Sequence, residues 1–132
     1  MIHITLGQRV RVSAGAWTAY DETWYRIDDK RESYPNDFAE LGYECVQRPE
    51  GEPGTNAKCL WRRAFPDGAH EGVIIGRTWR ATGNHHPANP YDNYECEPAF
   101  LAVDRRHLCY EVALSLNVHD RVLALAGDVE EV

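Results

Sequence analysis

Long apolar runs are scarce in this 132-residue sequence. Nowhere does it hold the roughly 18 consecutive apolar residues of a membrane span. Its opening, MIHITLGQRVRVS, has no stretch suited to a secretory signal. A cytosolic location without membrane contact is therefore expected. Lysine is nearly missing: of 14 basic residues only Lys30 and Lys58 are lysine. Against these stand 21 acidic residues, for a formal charge of −7. Phosphate backbones reward clustered cations, so direct nucleic-acid binding is not expected. Closely spaced cysteines are also lacking, since Cys45, Cys59, Cys96 and Cys109 form no CxxC pair. In a reducing compartment they read as free thiols that pack as small hydrophobes. The segment GVIIGR lacks the Lys-Ser/Thr ending of a phosphate loop. Neither an internal repeat nor a low-complexity tract is present.

What is present suits an ordinary single domain spanning 1–132, with 43% hydrophobic and 27% charged residues. A chain this long buries roughly two thirds of its unfolded surface, so it needs no disulfide or metal to fold. In GQRVRVS (7–13), Val10 and Val12 alternate with Arg9 and Arg11, the period of a half-buried strand. EGVIIGRTW (71–79) carries β-branched residues between glycines that permit bends at Gly72 and Gly76. Further strands are predicted over 99–104, over 108–118, where LCYEVALSLNV has a clean period of two, and over 121–126. Turn residues at Asn117 and Asp120 join the last two as a hairpin. Five short strands of this kind suggest a small antiparallel barrel.

Segment 14–70 does not fit that pattern and is too long to be structureless. Trp17, Tyr20, Trp24 and Ile27 recur at helical offsets, although TWYRI suits a strand equally. Asn36 is placed to cap a helix over DFAELGYECV, with Gly42 weakening it. The expected fold is thus mainly β (α+β), a barrel with a long, partly helical insertion between its first two strands.

GQRVRVS, the glycine-flanked EGVIIGRTW and the close FLAVDRRHLCYEVALSLNVHDRVLALAGDVEEV resemble the small SH3-like barrels among accessory proteins of tailed bacteriophages. That resemblance covers about half the chain. It implies an SH3-like scaffold that presents loops to a protein, nucleic acid or small ligand and does no chemistry.

The densest functional signal lies in the insertion, where Trp17, Tyr20, Trp24, Tyr25, Tyr34, Phe38 and Tyr43 are interleaved with charges. Trp, Tyr and Arg anchor interfaces because they bury large areas while keeping a polar handle. Trp17, Tyr20, Trp24, Tyr25 and Arg26 are accordingly expected to contact a protein partner, engaging and inhibiting a host or phage protein. Packing of these rings onto the barrel is the plainer alternative. A second alternative is a nucleotide-like small ligand held by Arg62, Arg63, Arg77, Trp79 and Arg80. A third is an acidic antagonist that occupies the basic groove of a nucleic-acid-binding enzyme.

His85, His86, Cys96 and Cys109 are the candidate zinc ligands, but none of the tight spacings of structural zinc sites occurs. ATGNHHPANPYDNY reads instead as an exposed loop, so no metal or cofactor is expected. Asp21/Glu22, Asp28/Asp29 and Glu130/Glu131 read as solvated surface rather than general acid and base. No enzymatic activity is expected.

Overall fold

The structure, a computed structural model, describes residues 4–25, 31–33, 38–88, 98–114 and 120–132, with 22–25 and 31–33 through their backbone only. The described chain is mainly β, and all its strand pairs are antiparallel. The strands are β1 (Arg9–Val12), β2 (Ala14–Tyr25), β3 (Arg31–Ser33), β4 (Glu44–Gln47), β5 (Asn56–Ala64), β6 (His70–His86), β7 (Phe100–Ala113), β8 (Arg121–Leu125) and β9 (Val129–Glu131). Helix among the described residues is confined to one 3-10 turn, Ala126–Asp128. None is long and apolar enough to cross a membrane.

β6 is the spine of the sheet. One of its edges carries β7, from Val73 opposite Ala113 to His86 opposite Phe100. The other edge is shared. β1 pairs with its first residues and β5 with its last, Lys58 facing Gly83 and Asn56 facing His85. β9 continues from β1, β8 from β7, and β2 with β4 from β5. β3 adds to the far end of β2.

Burial follows this division. The inward faces of β9, β1, β6, β7 and β8 supply one core of Val10, Val12, Ile74, Tyr110, Val112, Ala124 and Val129. The alternation read from GQRVRVS is realised: both valines are fully buried, while Arg9 and Arg11 point outward toward Glu71 at 3.3 and 3.6 Å. Segment 14–70 builds a second cluster of Ala57, Cys59 and Trp61, with Phe38 stacked on Trp61 at 5.0 Å between centroids. Beside it Asp21 is buried and pairs with Arg48. The two clusters are tied by Arg62 of β5. Its Nε and Nη2 each donate to the Asp128 carboxylate in the 3-10 turn at 2.8 Å.

Several expectations are corrected. Residues 14–25 are strand, not helix, because the β5 backbone satisfies them in a ladder from Ala14 to Tyr20, and aromatic and β-branched residues favour such pairing. The second expected helix is a turn over 38–42 followed by β4. Gly42 sits at φ 89°, a left-handed conformation that stops a helix, and the Tyr43 N–H donates back to the Phe38 carbonyl. Asn36 and Asp37 lie outside the described residues. The strands expected over 99–104 and 108–118 run together as one strand, β7, as far as Ala113; residues 115–118 lie outside the described residues. Its polar middle, DRRH, remains extended because that stretch is largely exposed and Asp104 bulges out between Val103 and Arg105. β6 runs on to His86, so His85 and His86 belong to a strand rather than to a loop.

Backbone approach is closest at Gly83, where a Cβ would lie 2.1 Å from the Ala102 carbonyl oxygen. Gly83→Ala is therefore expected to cost on the order of 3 kcal/mol, the scale of overpacking a closed site. Gly127→Ala, with open space around it, should be close to neutral. Urea midpoints at constant slope decide the matter, and a wild-type midpoint for Gly83→Ala would refute the close packing of β6 on β7.

Candidate functional site

A bulge sets the site. Ile74 faces Val112 and Gly76 faces Glu111, so Ile75 is an extra residue with no partner on β7. Side chains alternate along a strand, and one inserted residue shifts the parity of everything after it. The pairs Ile74·Val112, Arg77·Tyr110, Trp79·Leu108 and Ala81·Arg106 consequently share one face.

Along that face burial declines. Ile74, Val112 and Tyr110 are buried, Leu108 is half-buried, and Trp79 is 60% exposed. Coverage explains the gradient, since β1 reaches only Val73 and the Gly7–Gln8 backbone closes over Ile74 with bonds of 2.8 and 3.0 Å. Beyond that closure a hollow of about 600 Å3 opens, lined by Ile4, Leu6, Ile74, Ile75, Arg77 and Tyr110. This volume falls within the range of about 300–1,000 Å3 typical of ligand sites. Leu6, 71% exposed, forms its outer lip. Arg77 and Arg106 are exposed on either side of Trp79, and neither has a hydrogen bond or ion pair among the described residues. An indole between two uncommitted guanidinium groups, beside an apolar hollow, can hold a chain that carries both an apolar side chain and carboxylates.

The residues singled out in the sequence are dispersed. Trp17 is 54% exposed on β2, and Tyr20 meets the His85 ring edge-on at 5.4 Å. Trp24 and Tyr25 lie in β2 opposite β3, with their side chains outside the described residues, as is Arg26 altogether. The five arginine-set candidates do not form one site. Arg62 is committed to Asp128 and, at 3.0 Å, to Glu44. Its partners hold the guanidinium protonated even more firmly than usual. Arg63 lies over the Tyr43 ring at 5.9 Å. Only Arg77 and Trp79 share the open face, and Arg80, next along the strand, points away from it.

Nor are the proposed zinc ligands gathered. His86 stacks on Phe100 at 4.5 Å and lies 3.3 Å from Glu52. Cys109 faces Thr78, seven residues back along β6 from His85, which at about 3.3 Å per residue is roughly 23 Å of strand. Cys96 lies outside the described residues. Among the described residues no three His, Cys, Asp or Glu side chains cluster as a metal site. Burial pushes the Cys59 and Cys109 thiols up, away from the reactive thiolate.

One polar cluster escaped the sequence reading. The buried Thr82 hydroxyl donates to Asp104 at 2.7 Å and lies 3.2 Å from His107 Nε2. Because that hydroxyl proton is committed to Asp104, the neutral imidazole donates from Nε2 to the Thr82 oxygen. The Asp104 bulge makes the contact, and a bulge leaves no pattern in the sequence. Tyr110 and Arg106 were missed for a related reason, since their place on the Trp79 face depends on register, and Leu6 because only the fold brings it to the hollow. No known protein family matches the chain, and neither a curated protein nor a solved structure is significantly similar to it.

Two consequences can be measured. Asp128→Asn weakens a charge-assisted pair of bonds and should cost about 1.5–3 kcal/mol, the range for hydrogen bonds to charged groups. A loss below a few tenths in urea unfolding would make the tie between the clusters negligible. Burial lowers the His107 pKa below its ordinary 6.5, outweighing Asp104, which raises it. The unfolded chain therefore binds this proton more readily, and stability must fall as pH drops through the unfolded value near 6.5 toward the folded one. His107→Gln should flatten that fall. An imidazole titrating by NMR at or above 6.5 would overturn the assignment.

Proposed function

We propose that this chain is a non-enzymatic binding module that grips an acidic, apolar-bearing segment of a protein partner with the Trp79 face. The observation that carries the reading is the junction of the 600 Å3 hollow with Trp79, Arg77 and Arg106, the two arginines having no partner among the described residues. A large apolar side chain of the partner enters the hollow, its backbone crosses Trp79, and its carboxylates meet the two arginines. Aromatic and Arg anchors beside a pocket are where interface energy concentrates. The chain's overall charge of −7 slows the approach of an acidic partner. Selection therefore rests on short-range contacts rather than on long-range steering.

The scaffold reading is an SH3-like core of β9, β1, β6, β7 and β8 with an insertion in the connection after β1. Its support is the strand order, in which the 3-10 turn links β8 to β9 and β9 returns to pair with β1. The likeness to tailed-phage accessory proteins makes the partner a host or phage protein in the bacterial cytoplasm. The aromatic insertion is the less favoured contact face. Its described rings are spread between the second cluster, the His85 contact and solvent.

Panning a random peptide display library on the full chain tests the proposal. Enriched peptides should pair a large apolar residue with Asp or Glu. Trp79→Ala, and the double variant Arg77→Glu with Arg106→Glu, should each weaken them at least tenfold, about 1.4 kcal/mol. Enrichment of basic peptides, or binding indifferent to both variants, would sink it.

A further inference from the structure

A smaller cavity of about 190 Å3 lies where β2, β5, β6 and β8 approach, lined by Trp17, Thr18, Lys58, Arg80 and Leu123. Among the described residues no carboxylate lines it. Neither Lys58 nor Arg80 has a hydrogen bond or ion pair among the described residues, and the Arg80 Nε is closed off from solvent without a partner. In a chain with 21 acidic and 14 basic residues, a cavity lined by two cations that have no acidic partner among the described residues stands out. A buried donor without an acceptor is costly, and an anion in the cavity would supply the acceptor that Arg80 Nε lacks.

We propose that this cavity binds the phosphoryl group of a nucleoside monophosphate or a similar aromatic phosphate monoester. The Arg80 guanidinium and the Lys58 ammonium meet the phosphate oxygens, one as a planar fork and the other as a point charge. The Thr18 hydroxyl donates a further bond. At 190 Å3 the cavity is smaller than the roughly 300 Å3 at which whole ligands begin to fit, so only the head group enters. The aromatic part remains at the mouth, where the half-exposed Trp17 indole offers a stacking surface. Base–aromatic stacking of this kind is indifferent to base identity. A phosphate in contact with two cations and a hydroxyl uses all the polar groups of the site, whereas a planar carboxylate leaves one donor idle. Arg80 itself points away from the Trp79 face, because adjacent residues of a strand point to opposite sides.

Isothermal titration calorimetry on the full chain with adenosine monophosphate, adenosine and inorganic phosphate tests this. Saturable one-to-one binding of the monophosphate is expected, with adenosine and inorganic phosphate at least tenfold weaker. Lys58→Gln and Arg80→Gln should each weaken the monophosphate at least tenfold, with circular dichroism confirming the fold. Trp17→Ala should weaken the monophosphate and leave inorganic phosphate unchanged; its exposed position keeps the test open if a cavity variant fails to fold. The proposal is overturned if the monophosphate does not bind, if inorganic phosphate binds as tightly, or if Lys58→Gln or Trp17→Ala leaves monophosphate affinity at the wild-type level.

Discussion

The sheet depends on the division of one strand's edge. β6 is long enough to carry β7 along one side while β1 and β5 take opposite ends of the other. Backbone groups of a buried strand must find partners, and two short strands provide them at the two ends of β6 without meeting each other. Everything distinctive about the molecule follows from the stretch between them. The Ile75 bulge lies just beyond β1, where it turns Arg77 and Trp79 onto the core face at the point where cover runs out. A core face that outlasts its covering strands becomes a surface with an apolar floor, and that is the physical origin of the hollow beside Tyr110.

Among the described residues apolar burial gathers in two small clusters. The β1–β6–β7 core is made of valines, Ile74 and Tyr110, whereas the insertion relies on Trp61, Cys59 and Ala57 under Phe38. Burial of apolar surface is non-directional and does not dictate how two clusters are oriented. Arg62 with Asp128 does so, because a guanidinium fork accepts a carboxylate in one plane only. The same reasoning separates the arginines by role. Those that meet acids, such as Arg62, Arg9 and Arg11, join strands, whereas others, such as Arg77, Arg106 and Arg80, meet no acid among the described residues.

Length, composition and alternation already indicated a mainly β chain, and RVRV, EGVIIGRTW and LCYEVA all fall in strands. These segments were legible because their pattern has period two and one face of each is buried. The insertion was not. Trp17, Tyr20 and Trp24 satisfy a helical stripe, but the β5 backbone opposite them offers a ladder, and pairing of that range has no local signature. RRH looked like a break between strands, yet an exposed strand tolerates charge wherever a neighbour satisfies its backbone.

Of the candidate sites, residue type was visible and proximity was not. The sequence by itself determined that Arg77, Trp79 and Arg80 stand together on one strand, that His85 and His86 adjoin, and that cations are few. Only the tertiary structure decided that Trp79 and Arg80 serve different surfaces, that Lys58 and Trp17 join Arg80, and that Cys109 is far from both histidines. The reason is that local alternation is written into consecutive residues. The register of strands distant in sequence, and the single-residue bulges that reset it, are decided by packing of the whole chain.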